Sequence, residues 1–221
     1  TVTIRGEEYS MRPKTFREMF DVTRVPPVHH KYYACNRGEK KMTKTSPKEM
    51  RMLDLFSGLG GASRAMRERG WDVISVDVEP KFNPSIISDI STYHYEGKLP
   101  VDLVWASPPC TEFSKDSLPR SWACNRNNPP KPDTTLTEAA MRVIEEVKPR
   151  WWVIENVRGA VKHFKPILGA PVKRVGSRYL WGVFPDFDCP PIYGKWRLPP
   201  SKDRAALRSL IPYELSEALC L

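Results

Sequence analysis

Met52-Leu53-Asp54-Leu55-Phe56 is a short apolar run that stops at Ser57-Gly58-Leu59-Gly60-Gly61. Ala62 to Arg69 then reads as a helix closed by Gly70, and Val73-Ile74-Ser75-Val76-Asp77 is a β-branched run ending on an acid. Strand, Gly-rich turn, helix, strand is a βαβ unit. Its two strands lie parallel, and parallel strands need helices over both faces of their sheet. This one feature commits the chain to an α/β architecture.

The rest of the chain repeats the alternation. Leu103-Val104-Trp105-Ala106 is a strand that runs into Ser107-Pro108-Pro109-Cys110. Leu136 to Val147 is a helix with Thr135 or Thr137 near its cap, and Trp151-Trp152-Val153-Ile154 is a strand ending at Glu155-Asn156. Tyr179-Leu180-Trp181 is a later strand. The pattern predicts a doubly wound α/β sheet. Residues 111 to 134 lack apolar periodicity and contain Pro119, Pro129, Pro130 and Pro132, so they form a long loop of the kind that carries function. Residues 1 to 50 differ in kind. They hold Arg12, Lys14, Arg17, Arg24 and Lys31 among other cations, Val25-Pro26-Pro27-Val28 breaks any helix, and one short helix is expected near Thr15 to Asp21. They read as a basic arm or cap ahead of a main domain over 51 to 221.

The 221 residues carry a formal net charge of +9, which favours a polyanionic partner such as nucleic acid. The five cysteines are odd in number and form no CxxC pair, which argues against a disulfide framework and for a reducing compartment. His29, His30 and Cys35 match no common zinc spacing, so no metal is expected. No run is long and apolar enough to span a bilayer, and no secretory pattern opens the chain.

The Gly-rich turn brings backbone close to a ligand, and an acid at the next strand end, Asp77, can accept from ribose hydroxyls. Such a site suits an adenosine cofactor. A dinucleotide is the competitor, yet Gly58-Leu59-Gly60-Gly61 is too compact for that fingerprint. Asp89 in Ser88-Asp89-Ile90 can meet an adenine amino group or merely cap a turn. Two prolines hold Cys110 on a rigid ledge past a strand end, although a cysteine is often just a small apolar side chain. A free thiol is mostly protonated at neutral pH, so a cation must help it; Arg178, Lys115 and Arg120 are candidates. Glu155 also ends a strand and so points to the same crevice, where a desolvated carboxyl can hold a proton near neutrality; a salt bridge is the plainer alternative.

Asp54-Leu55-Phe56-Ser57-Gly58-Leu59-Gly60-Gly61, then Ser107-Pro108-Pro109-Cys110 with Phe113-Ser114, then Glu155-Asn156-Val157, resemble the DNA (cytosine-5) methyltransferase family in order and spacing. The resemblance covers about residues 51 to 185. It implies the Rossmann-like fold of S-adenosylmethionine-dependent methyltransferases, with 51 to 221 as the catalytic domain. It also implies that Phe56, Gly58, Gly60 and Pro108 line the cofactor, that Asp77 holds its ribose with Val78 on the adenine, and that Asp89 and Ile90 meet the adenine edge and face. Cys110 is then the nucleophile, Glu155 the partner of the cytosine N3 and amino group, and Arg178 the second arginine of a pair. Gly176 stands where the first belongs, and Ile211-Pro212-Tyr213-Glu214-Leu215-Ser216 replaces the family's Asn-Ser pair, as in short phage-type members.

The implied reaction is methylation of cytosine carbon 5 in DNA through a covalent Cys110 intermediate, with S-adenosylhomocysteine as product. The base must leave the duplex first. Only about 30 residues, rich in proline, separate Leu180 from the terminal helix. A large target-recognition domain does not fit there, so weak or short sequence specificity is expected. The same chemistry on RNA, an amino-nitrogen methyltransferase, and a catalytically silent nucleic-acid-binding module are the rivals. Cys110 and Glu155 argue against the last two. The expected setting is the cytoplasm of a bacterium or a viral or phage host, or a eukaryotic nucleus, as part of restriction-modification or a phage programme.

Overall fold

The structure is a computed structural model. It describes residues 2–4, 7–9, 50–111, 113, 132–192 and 204–220. The expected helix at Thr15 to Asp21, the His29, His30 and Cys35 trio, and Lys115, Arg120 and Cys124 lie outside the described residues. The chain separates into two units, Thr1–Thr45 and Ser46–Leu221. In the first, β1 (Val2–Ile4) and β2 (Glu7–Tyr9) pair antiparallel.

The second unit is a seven-stranded sheet. Its strands are β3 (Arg51–Leu55), β4 (Asp72–Asp77), β5 (Ile86–Ile87), β6 (Leu103–Ala106), β7 (Trp151–Val157), β8 (Lys173–Val175) and β9 (Arg178–Val183), and their order is β5-β4-β3-β6-β7-β9-β8. The first five run parallel; β9 returns antiparallel to β7, and β8 lies antiparallel on β9. The sequence reading anticipated β3, β4, β6, β7 and β9 but not β5 or β8. The two-residue link Gly176-Ser177 closes the β8–β9 hairpin, and Gly176 has φ +59°, the left-handed region that glycine enters without penalty.

Alternation along each strand feeds two cores. Leu53, Val104, Ala106, Ile154 and Trp181 face one side, and Met52, Leu103, Trp105, Val153 and Leu180 the other. Helix α1 is Arg64–Glu68, shorter than the expected Ala62 to Arg69, and α2 is Thr135–Val147. Thr134 is the α2 N-cap and Thr135 the first helical residue beside it, while Thr137 is buried. Helices α3 (Val161–Leu168), α4 (Arg204–Ser209) and α5 (Tyr213–Ala218) complete the unit. Ala140, Val143 and Ile144 of α2 and Phe164 of α3 cover the first face, and Ala65, Met66, Leu215 and Leu219 cover the second. Helices on both faces make the sheet doubly wound. The order of connection reverses between β3 and β6, and open α/β sheets bind ligands outside strand carboxyl ends at such a point.

Candidate active site

A cleft opens at that reversal, lined by Asp54, Phe56, Gly58, Ser107, Leu210 and Ile211 among others. The turn after β3 is built from left-handed backbone: Phe56 has φ +58°, Gly58 +49° and Gly60 +73°. Glycine tolerates this freely, whereas Phe56 is strained, as residues held at binding turns often are. The Asp77 carboxylate fixes the turn. It accepts from the Gly58 N–H at 2.8 Å and from the Glu79 N–H at 2.9 Å. Val78 and Ile87 leave apolar surface exposed beside it.

Asp54, which the sequence marks only within a motif, is a buried acid of this cleft. It accepts from the Ser63 hydroxyl at 2.7 Å. Burial raises its carboxyl to about 6 against the pull of Ser63 and of the Arg67 charge. Asp89 is exposed and accepts from the Ser91 N–H at 2.9 Å, which holds its carboxyl below the usual range. It therefore makes the turn contact weighed as the plainer alternative. Ile90 is only 2 % exposed and packs in the core rather than lining the cleft. Arg142 of α2 pins the following loop, donating to the carbonyls of Ile90 at 3.1 Å, Ser91 at 3.3 Å and Tyr93 at 2.8 Å.

Cys110 sits past the end of β6, partly exposed, on the Pro108-Pro109 ledge. The side chain of Asn156, from β7, donates to the Pro108 carbonyl at 3.0 Å and accepts from the Val157 N–H at 2.8 Å. The ledge is thus tied to the neighbouring strand. Past the thiol, the Phe113 N–H donates to the Cys110 carbonyl at 3.1 Å, and the Phe113 ring packs edge-on against Phe164. A Cβ on Gly159 would come within 1.8 Å of the Phe113 carbonyl oxygen, so only glycine permits this approach.

Glu155 is buried, and burial raises its carboxyl while Arg178 and Ser107 oppose the rise. The antiparallel return of β9 sets Arg178 opposite Val157, beside the carboxyl end of β7. From there it donates to Glu155 at 3.0 Å and, through its other nitrogen, to the Leu210 carbonyl at 2.7 Å. The salt-bridge alternative for Glu155 is therefore realised, and it does not compete with a site role. The Cys110 thiol is pushed above its ordinary range by burial and then by the Glu155 charge, while Arg178 and Arg208 pull it down. The fold brings Cys110, Glu155, Arg178 and Pro108 together at one edge, with Phe56, Gly58, Gly60 and Asp77 next to them; Asp89 stands apart in its own turn. Besides Asp54, the sequence reading missed Asn156, Arg142 and Arg208. Asn156 lay within the Glu155-Asn156-Val157 motif, whereas no local pattern marked the other two.

A family model described as C-5 cytosine-specific DNA methylase matches residues 50–169, a little over half of the chain. Among individual relatives, a Frog virus 3 protein named "Probable DNA (cytosine-5)-methyltransferase" is 31% identical over 115 residues, covering 48% of this chain and 53% of that protein. The type II methyltransferase M.XorII of Xanthomonas oryzae pv. oryzae is 30% identical over 126 residues, covering 48% and 28%. The type II methyltransferase M.AquIA of a Picosynechococcus species is 26% identical over 162 residues, covering 61% and 62%. The chain thus spans less than two thirds of each of these relatives. The matched region contains the Gly-rich turn, Cys110 and Glu155 in their order along the sheet, and on this match the chain belongs to the C-5 cytosine-specific DNA methylase family.

Proposed function

We propose that this chain methylates carbon 5 of cytosine in DNA, using S-adenosylmethionine as donor and Cys110 as nucleophile. The observation that carries the reading is the convergence of a partly exposed thiol, a buried carboxyl and its arginine beside a cleft at the reversal of strand order. The cleft's donor set fits the cofactor. Asp54 offers a buried carboxylate to a cationic amino-acid end, Phe56 and the glycine backbone flank the cleft, and Asp77 retains lone pairs for ribose hydroxyls. Val78 and Ile87 give apolar surface for an adenine ring, and Asp89 its amino edge; Ile90 supports that wall from the core. Bound S-adenosylmethionine supplies an electrophilic methyl group for carbon 5.

The chain's own residues prepare the ring. The Cys110 thiolate forms a bond to carbon 6, and the carbon 5–carbon 6 π pair shifts onto carbon 5, which becomes nucleophilic. Glu155, whose carboxyl burial pushes upward while Arg178 opposes the rise, takes up a proton and donates it to N3 as charge builds on the ring. After methylation, water takes the carbon 5 proton, and the carbon 5–hydrogen bond pair becomes the carbon 5–carbon 6 double bond. The carbon 6–sulfur pair leaves with Cys110 as thiolate, and the N3 proton returns to Glu155. Arg178 holds the Glu155 carboxyl in place for these steps. Lys115, Arg120 and Arg126, in the stretch 111 to 134 that the sequence marks as a loop, would meet phosphates around a flipped base, and the basic residues of 1 to 50 would add charge that favours the strand. With so short a connection between β9 and α4, the target sequence is short.

The test is trapping. DNA containing 5-fluorocytosine, incubated with the protein and S-adenosylmethionine, should give a stable adduct that Cys110→Ser does not form. Absence of an adduct on any DNA, with one forming on 5-fluorocytosine RNA, would overturn the DNA assignment. Absence on both would return the chain to a silent binding module.

A further inference from the structure

We infer that the surface from the carboxyl end of β7 along α3, with the β8–β9 hairpin beside it, grips the phosphate backbone of duplex DNA next to Cys110. Arg158, Lys162 and Arg174 are its contacts. The inference rests on DNA as the substrate. Asn156 to Pro185 holds Arg158, Lys162, Lys165, Lys173, Arg174 and Arg178 and no acid, in a chain where 26 of 221 residues are Asp or Glu. An ordinary solvated face mixes both signs, and this stretch does not.

The fold sets this stretch beside the nucleophile. Arg158 opens a short turn, Arg158–Ala160, directly past the end of β7, and the turn runs into α3. Gly159 in that turn meets the Phe113 carbonyl so closely that no Cβ fits between them. Further on, the His163 ring lies 5.8 Å from the Phe113 ring. Phe113 in turn donates its N–H to the Cys110 carbonyl. A single residue therefore bridges the start of α3 and the nucleophile. The hairpin reaches the same end of the sheet. Arg174 lies opposite Tyr179, and Tyr179 opposite Asn156, so Arg174 stands at the level of Asn156. Tyr179 packs against the same core as Val161 and Phe164 of α3, and the Arg174 guanidinium rests 5.5 Å from the centre of the Tyr179 ring. Arg174 thus shares the α3 side of the sheet.

Two of the six cations are committed, Lys173 to Asp186 and Arg178 to Glu155. Arg158, Lys162 and Lys165 are exposed, and among the described residues none of them meets a carboxylate. Arg174 donates through Nε to the Gly176 carbonyl at 2.9 Å, which leaves the donors of its terminal nitrogens for a ligand. The helix itself gains nothing from this charge. Lys162 and Lys165, three apart on one side of α3, repel each other. Lys162 also sits in a first turn that holds no acid, where the helix dipole favours one. By contrast α2, which covers the same sheet face, pairs its Arg142 with Glu146 at 2.8 Å. Positive charge that is unpaired, set against the helix's own preference and adjoining the thiol suits a polyanion whose phosphates flank the flipped cytosine.

Fluorescence anisotropy of a labelled DNA duplex, titrated with the whole chain at several salt concentrations, tests this. The triple variant Arg158→Gln, Lys162→Gln, Arg174→Gln should bind more than about tenfold more weakly at about 0.1 M salt, and its slope of log affinity against log salt should be shallower by about 2–3. Arg64→Gln, Lys81→Gln, Lys98→Gln removes the same charge from elsewhere and should change the slope by less than about one. The melting temperature of the first variant should hold or rise, because repelling neighbours are gone, whereas a structural role for these cations would lower it. Should that variant unfold, Lys162→Gln alone decides, through a slope shallower by about one. A slope and affinity in the first variant no different from the second would overturn the inference and leave DNA as the substrate. A wild-type chain that binds RNA but no duplex would overturn both.

Discussion

The side-chain amide of Asn156 reaches from β7 to the Pro108 carbonyl of the neighbouring loop at 3.0 Å, in a buried setting. Pro109 follows and cannot donate, so the ledge under Cys110 has few ways to anchor itself except through that carbonyl. The contact joins the two strand ends that carry Cys110 and Glu155, and it sets the distance between them.

Asn156→Ala should therefore cost about 1–3 kcal/mol of stability, because it strands a buried carbonyl and leaves the Val157 N–H without its acceptor. Methyl transfer should fall far more than cofactor affinity, since displacing a nucleophile by a fraction of an ångström is costly while the cleft at β3 is untouched. Denaturant unfolding and separate kcat and KM values check this. Equal loss of kcat and cofactor affinity would point to general disorder of the edge.

Glu155→Gln should produce two opposite effects. The Glu155 charge raises the Cys110 thiol, so removing it should lower the thiol's midpoint and speed alkylation at neutral pH. Methyl transfer should nevertheless drop by about 10²–10⁴, because a neutral amide does not supply a proton at N3. Alkylation that slows in Glu155→Gln would show that the carboxylate activates the thiol instead of opposing it.

Cys110 and Glu155 were legible in the sequence because each lies within a few residues of a strand's carboxyl end, and a parallel sheet brings all such ends to one edge. The Gly-rich turn was legible for the same reason. Arg178 needed the antiparallel return of β9 onto β7; the sequence offered it as one of three candidate cations for the thiol, and the resemblance to a family gave it a place beside Glu155. Arg142 acts 49 to 52 positions away in sequence on loop carbonyls, and no local spacing encodes a contact with backbone. Ile90 was expected on the adenine face, but the loop turns inward after β5 and its side chain joins Leu53, Val76 and Tyr93 in the core. Ile86 and Ile87, on the edge strand, take the exposed positions instead. Apolar character alone does not tell a ligand wall from a core residue next to it.

Asp54 makes stability and cofactor binding depend on pH in opposite ways. Its carboxyl is raised from 3.8 to about 6 in the folded protein. Between those values the folded state holds a proton that the unfolded chain has released, so stability falls as pH rises through that window and stays lowered above it. Asp54→Asn should remove this slope and raise the melting temperature at pH 7 relative to wild type. The charged carboxylate is what a cationic cofactor end would need, so affinity for S-adenosylmethionine should rise from pH 5 to pH 7 in wild type and stay flat and weak in Asp54→Asn. Calorimetric titrations at several pH values test both. A wild-type affinity independent of pH would remove Asp54 from the cofactor site.

Arg142 offers a way to separate cofactor binding from chemistry. It holds the loop after Asp89 by three carbonyls, and it is itself held by Glu146, one turn on, at 2.8 Å. None of these groups borders Cys110 or Glu155. Arg142→Ala frees the loop, so the adenine wall must be ordered again each time a cofactor binds. Hydrogen bonds from a charged donor are worth roughly 1.5–3 kcal/mol, and even the lower figure corresponds to about tenfold in binding. The KM for S-adenosylmethionine should rise about tenfold or more with kcat changed less than about twofold, the pattern of lost uniform binding. Arg142→Lys should recover only part, because an ammonium cannot reach three carbonyls and Glu146 with the same fixed fork. A fall in kcat at unchanged KM would place the consequence of this loop in the chemical step and detach it from the adenine wall.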